Sequence, residues 1–215
     1  MDGSLIDDST GLRYVHLEIS HAERLQELEY LCFPTIDRSD LYDAGDIGRL
    51  ARAFPEGNFA VFDADRAVGM GLGIRVHFDF DHTQHSLSDL TGSEETGDDP
   101  TGRWYYGTDI SVDPTYRRRG IGQNLYQLRK RAVRDLGLDG IVAGGVIPGF
   151  VDHKHVMSAE EYVQKVVAGE LYDATLSFQL ENGFEAPGVI GDYITDPAVD
   201  NWASLIVWHN PGLDA

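Results

Sequence analysis

The sequence predicts an α/β fold, a single domain with a mixed central sheet flanked by helices. Segments of period-two alternation interleave with segments of 3.6-residue periodicity along the 215 residues. One late segment, "LDGIVAGGVI", is apolar almost throughout, as a strand covered on both faces is. No repeat and no linker divides the chain, and a hydrophobic content of 42% with 10% aromatics is enough for one core.

The elements follow in order. After an irregular leader over residues 1–11, the domain runs over 12–215, beginning with the strand pattern "GLRYVHLEI". In "SHAERLQELEYLCF", Ser20 can cap a helix whose Leu25, Leu28 and Leu31 share a face and which Pro34 ends. "DIGRLARAF" reads as a short second helix, and "NFAVFDADRAVGMGLGIRVHFDF" as a hairpin turning at "DADR". Residues 79–102 are rich in Asp, Ser, Thr and Gly and read as a long exposed loop. Its His82 and His85, without a supporting ligand cluster, read as solvated rather than metal-binding.

"WYYGTDISV" alternates, placing Trp104, Tyr106, Thr108, Ile110 and Val112 on one face and Tyr105, Asp109 and Ser111 on the other. Pro114 ends that strand. "GIGQNLYQLRKRAVRDLG" follows as a helix with an apolar stripe at Ile121, Leu125, Leu128, Ala132 and Leu136. Further on, Ser158 and Asp173 can cap two more helices, and "GVIGDYIT" and "ASLIVWHN" read as closing strands.

Composition limits the function classes. Thirty-six acidic residues against 17 basic ones give a formal charge of −19, which argues against wrapping nucleic acid. No stretch is apolar enough to span a membrane, and the N-terminal residues lack a signal-peptide pattern. With Cys32 the only cysteine, an intrachain disulfide and a multi-cysteine metal site are excluded. A soluble, cytoplasmic, metal-free protein is the expectation. Cys32 lies in an apolar helix pattern and reads as core rather than nucleophile.

The positive charge is concentrated, however. Between Arg103 and Arg134 stand eight basic and two acidic residues, whereas the rest of the chain holds nine basic and 34 acidic ones. Such an island suits a compact, phosphate-rich ligand. At its centre, Arg117-Arg118-Arg119-Gly120-Ile121-Gly122 joins a strand to a helix start. Free N–H groups there point outward, the dipole favours anions, and glycines let a phosphate come close. Neither the P-loop pattern nor a dinucleotide fingerprint is present, since "GMGLGI" lacks the spacing before a helix. Arg129, Arg131 and Arg134 can be read as a solvated helix face.

"ISVDPTYRRRGIG", followed by a helix and a later helix ending in "NGF", resembles the GCN5-related N-acetyltransferases (GNAT), whose signature is [RQ]-x-x-G-x-[GA] after such a strand. The resemblance extends over roughly residues 12 to 210. "YGTDISVDPTYRRRGIGQNLYQLRK" and "GIVAGGVIPGF" resemble, more narrowly, the GNAT domains fused to nitrilase-type carbon–nitrogen hydrolases. The resemblance implies acetyl-CoA as donor, with the backbone at Ile110, Ser111 and Val112 pairing with its pantetheine arm. The N–H groups of about Arg119 to Gln123, including Gly120, Ile121 and Gly122, would hold its pyrophosphate, with Arg117, Arg118, Arg119 and Lys130 neutralising charge. Many relatives carry an acidic tyrosine four residues before the "GF" glycine; here Gln179 stands there and cannot act as an acid.

Transfer to an amine also needs a base, and Asp109, on the strand of the cofactor contacts, is the first candidate. Asp152, His153 and His155 form a second group. The function expected is acetyl transfer from acetyl-CoA directly to the amine of a small molecule or peptide. A CoA-binding sensor or partner-binding module that has lost turnover is the alternative Gln179 keeps open. No nucleic acid or membrane partner is expected, and a homodimer is allowed.

Overall fold

The computed structural model describes residues 4–6, 10–92 and 97–213. A seven-stranded sheet has the order β1-β2-β3-β4-β5-β7-β6. Its strands are β1 (Arg13–His16), β2 (Phe59–Asp63), β3 (Arg66–Val76), β4 (Trp104–Val112), β5 (Gly140–Val146), β6 (Glu185–Ile190) and β7 (Ala203–His209). The helices are α1 (Ala22–Cys32), α2 (Ala44–Ala53), α3 (Leu87–Thr91), α4 (Ile121–Asp135), α5 (Ala159–Val167) and α6 (Leu176–Glu181). Every neighbouring pair is antiparallel except β4 and β5, which α4 connects in parallel. This is the mixed, helix-flanked sheet the sequence predicts.

Two helical layers cover the sheet. Leu25 and Leu28 of α1 and Ile47 and Leu50 of α2 pack on Phe62, Met70, Leu72, Tyr106 and Val142. On the opposite face, Tyr126 and Val133 of α4 and Tyr162, Val163 and Val166 of α5 pack on Tyr105, Ile141 and Ile206, while Ile121, Leu125 and Leu128 cover Val61 and Val68. Covering both faces explains why Phe59 to Phe62 are buried without alternation.

Four local expectations are revised. A 3₁₀ turn at Ile19–His21, locked by reciprocal Glu18 and His21 side-chain bonds, leads into α1, so His21 rather than Ser20 is its cap. Leu31 faces solvent at 51% exposure, and the buried face of α1 is Ala22, Leu25, Leu28 and Glu29. The 79–102 segment is not simply an exposed loop: Ser86 caps α3, Leu87 and Leu90 pack into the core, and Leu87 N–H donates to Tyr193 C=O at 2.9 Å. Within that segment Asp98 is anchored to Arg75 at 2.5 Å. Of the leader, residues 1–3 and 7–9 lie outside the described residues, whereas Leu5 N–H bonds Tyr14 C=O at 2.7 Å beside β1.

The fourth revision concerns β4. Against β3, Leu72 pairs with Asp109 but Gly73 pairs with Gly107, leaving Thr108 as an extra residue. This β-bulge flips the side-chain alternation. Tyr106, Asp109 and Ser111 consequently meet the α1 layer, while Tyr105, Ile110 and Val112 meet the α4 layer.

Candidate active site

β4 and β5 pair only from Trp104↔Gly140 to Tyr106↔Val142. Beyond that point residues 107–112 are held by β3 and residues 143–146 by β7, so the sheet splits into a wedge. A split between parallel strands turns backbone N–H and C=O groups toward the gap. Gly144 and Gly145 let two side chains close on β5 from opposite faces. A Cβ on Gly144 would stand 2.4 Å from the Tyr193 ring, and one on Gly145 2.6 Å from the Gln179 amide oxygen.

The turn after β4 leads to the start of α4. Asp113 receives bonds from Thr115 N–H and Oγ1 and from Arg66 at 2.6 Å; burial pushes its carboxyl up, but these donors outweigh it and hold it below its ordinary value. Arg118 has φ 62°, and Gly120, the N-cap, has φ 81°, a conformation glycine adopts readily. The first-turn N–H groups of α4 thereby face outward beside the wedge. Arg117, Arg118 and Arg119 are exposed there. Arg117 Nε reaches Val112 C=O at 3.3 Å, and Arg119 reaches Thr115 C=O at 3.3 Å while lying over Tyr116.

The rest of the basic island disperses around the fold. Arg103 pairs with Asp139, and Arg134 lies over Trp208. Lys130 donates to Asn182 C=O and sits over Phe184 and Trp208, about 13 Å along the helix from the turn. Arg129 is no solvated residue, being 2% exposed. Its guanidinium donates to Leu72 C=O at 2.7 Å and to Asp109 C=O, the residues paired at the bulge. Gly71 and Gly107 make room for it: a Cβ on either would lie 3.3 or 3.2 Å from its nitrogens. The glycines of "GMGLG" therefore accommodate a buried cation.

On the α1 face the bulge aims Asp109 at Glu29 of α1. Ser111 Oγ lies 3.0 Å from both Asp109 carboxylate oxygens and 3.3 Å from Glu29 Oε2, and Tyr42 N–H approaches Glu29 Oε1 at 3.5 Å. Burial pushes Asp109 up to about 6, against the opposing pull of the Ser111 hydroxyl and the Arg129 charge. Burial, and then the charge of Asp109, raise Glu29 well above the ordinary glutamate range. Two buried carboxyls this close share a proton. The two carboxyls therefore titrate as one pair, both raised by burial. Burial also pushes the Cys32 thiol up to about 12, in keeping with a core cysteine.

Glu29 was not among the residues the sequence singled out. Its signal was present, since Glu29 follows Leu25 by four residues and falls inside the apolar stripe. Gln179, 3% exposed, reaches Gly145 from α6, its amide facing the Tyr126 hydroxyl. His153 instead packs on Tyr162 of α5 and His155 is exposed, apart from the carboxyl pair.

Among the described residues, four buried polar side-chain atoms lack a hydrogen-bond partner: Tyr42 Oη, Thr108 Oγ1, Arg129 Nε and Gln179 Oε1. Thr108 faces Tyr42 beneath the bulge, and Arg129 and Gln179 flank Tyr126 on the other side. Arg129 Nε and Gln179 Oε1, on the α4 side of the split strand pair, leave a donor and an acceptor there for a ligand carrying amide or carbonyl groups. Tyr42 also floors a cavity of about 420 Å³ whose wall includes Asp40, Asp43, Asp46 and Arg49. No group of three His, Cys, Asp or Glu side chains among the described residues could hold a metal ion, and no helix there is long and apolar enough to cross a membrane.

Comparison with known proteins agrees with this fold. The model of the Acetyltransferase (GNAT) family matches residues 22–149. An uncharacterized N-acetyltransferase of Bacillus subtilis, YkwB, is 30% identical over 211 residues, covering 97% of this chain and 92% of that protein. The probable hydrolase YhcX of the same organism is 33% identical over 200 residues; the match takes in 91% of this chain but only 38% of YhcX. Among solved structures, the loading GNATL domain of CurA from Lyngbya majuscula superposes with TM-score 0.79 at 19% identity, covering 94% of this chain and 98% of that one. The GphF GNAT-like decarboxylase, in complex with isobutyryl-CoA, superposes with TM-score 0.75 at 22% identity, covering 92% and 99%. The chain belongs to the GNAT family of acetyltransferases.

Proposed function

We propose that the protein binds acetyl-CoA in the β4–β5 wedge and transfers the acetyl group directly to the amine of a small molecule or peptide. The observation that carries this reading is the succession along β4 of a bulge with a buried carboxyl pair, a split from β5 and an outward-facing helix start. An acyl-CoA ligand is also what the GphF structure contains.

The edge of Ile110 to Val112 that β5 leaves without a strand partner suits an extended ligand arm, as an added strand would. First-turn N–H groups from Arg119 to Gln123, with Arg117 to Arg119 around them, suit a pyrophosphate. Acetyl-CoA supplies the acetyl group as a thioester. A primary amine arrives at pH 7 as an ammonium ion and must lose a proton before it can attack. The single negative charge shared by Asp109 and Glu29 attracts that cation, and Asp109 takes the proton. The C–N bond then forms, the C–S bond breaks, and the thiolate is protonated. Gln179 can hydrogen-bond near that sulfur without donating a proton, so Asp109 returns the proton it took.

Gln179 also favours a second reading, a sensor that binds CoA without turnover. Calorimetry with acetyl-CoA tests the site: Arg117→Ala combined with Gly120→Val should abolish binding, and unchanged affinity refutes the assignment. Thiol release from acetyl-CoA across a panel of primary amines separates the readings, because a sensor releases none above background.

A further inference from the structure

The function above leaves one buried cluster unused, and it begins at a histidine expected to be solvated. His85 is half-buried. Its Nδ1 lies 2.8 Å from Thr83 C=O, which can only accept, so Nδ1 carries the proton. In the neutral ring Nε2 is then a bare acceptor, 2.8 Å from the Tyr106 hydroxyl. Tyr106 Oη is 3.2 Å from Tyr193 Oη, and either hydroxyl can donate across that gap. At the inner end the phenol oxygens of Tyr106 and Tyr193 face the backbone N–H of Gly144, on the wedge side of β5. Tyr193 also lies within electrostatic reach of Asp109 and Tyr42. One file of hydrogen bonds thus joins Tyr193, packed over Gly144 beside the wedge, through Tyr106 to half-buried His85 in the 79–86 segment.

We propose that His85, through Tyr106 and Tyr193, carries out of the wedge the second proton that the acceptor amine must lose. This deepens the acetyl-transfer reading and rests on it. Converting an ammonium ion and a thioester into an amide and a thiol releases one net proton. Asp109 takes the first proton from nitrogen and returns it to sulfur. The second leaves nitrogen as the C–N bond forms and passes to Tyr193 Oη. Tyr193 gives its own proton to Tyr106, Tyr106 gives its proton to His85 Nε2, and the imidazolium discharges to solvent. The resting chain donates Tyr193→Tyr106→His85; the loaded chain donates His85→Tyr106→Tyr193 and holds one more proton, so loss of the Nε2 proton to water and rotation of both hydroxyls restore the first from the second.

His85 and Tyr106 touch no reacting atom and act by positioning and relay. Facing His85 are Asp89 as the charged group and Tyr106 and Tyr193 as titratable ones, with Phe78 packed edge-on. Burial lowers its affinity for a proton while Asp89 raises it, so the ring is neutral and able to accept at neutral pH.

Nitrogen NMR of the full chain labelled at histidine is the direct test. In the wild type His85 should carry its proton on Nδ1, with Nε2 bare between pH 7 and 8; the opposite neutral tautomer overturns the relay. Adding CoA should shift the Nε2 resonance, and Tyr193→Phe should remove that response while CoA affinity by calorimetry stays within about twofold. A Tyr193→Phe protein that keeps the response also overturns it. If the wild type binds no CoA at all, the wedge assignment has failed, and the tautomer result shows separately whether the His85–Tyr106 contact exists. With acetyl-CoA and amines from butylamine to spermidine, His85→Gln preserves an acceptor for Tyr106 but takes up no proton. Its kcat should fall by roughly 10²-fold or more and lose the limb that rises with pH, with KM for acetyl-CoA unchanged. A wild-type pH profile in that variant refutes the proposal.

Discussion

Replacing Asp109 by Asn should stabilise the protein at neutral pH while abolishing transfer. Burial lifts this carboxyl from its ordinary 3.8 to about 6. Between those values the folded chain binds a proton that the unfolded chain does not, so stability falls as pH rises across the window. Each tenfold change in proton affinity is 1.36 kcal/mol, so ionising Asp109 in the fold costs about 3 kcal/mol above pH 6. An amide of nearly the same shape removes that cost. Its N–H group has the Glu29 carboxyl beside it, and imperfect pairing there would return about 1 kcal/mol. The net gain at pH 8 is about 2 kcal/mol, or about 4–8 °C in Tm for a chain of this size. At pH 4, where Asp109 is protonated anyway, the gain vanishes. Thermal melts of both proteins from pH 4 to 8 measure the difference. A variant destabilised at pH 8 but not at pH 4 would show that Asp109 is an ordinary paired carboxylate.

Arg129→Met should lower stability by about 3 kcal/mol in urea titrations, because it strips two buried carbonyls, Leu72 and Asp109, of their donor. An unchanged midpoint would mean the bulge does not depend on that guanidinium. Cys32, with its thiol pushed up to about 12, should resist a thiol-directed reagent at pH 8 in the folded protein and react fully in denaturant. Rapid native labelling would show that α1 opens readily.

The strand–turn–helix unit at residues 104–123 was readable because its information is local: alternation, a proline stop, arginines and a glycine at a helix start. Asp109 was named from its place on that strand. Glu29 and Arg129 were readable in principle. Each occupies a core position of its helix by spacing, Glu29 after Leu25 and Arg129 between Leu125 and Ala132, yet a charged residue is easily assigned to solvent. The bulge at Thr108 has no local signature, since it arises from pairing with β3, and missing it put Ile110 and Tyr106 on one face. The contact between His85 and Tyr106 joins residues 21 apart through the folding back of a polar segment, and periodicity carries no trace of it.

Gly144 and Gly145 give the sheet the character of a partition with a single slot. Tyr193 closes on it from one side and Gln179 from the other, so a group in the wedge is in reach of both layers. In the proposed reaction the donor is met chiefly by the stretch from β4 into α4, with Gln179 of α6 beside its sulfur. The acceptor is met by Asp109 of β4 and by a second set outside that stretch, Glu29 of α1 and the turn bearing Tyr193. Changes confined to the second set can alter which amine is accepted while the machinery that presents the acetyl group stays as it is.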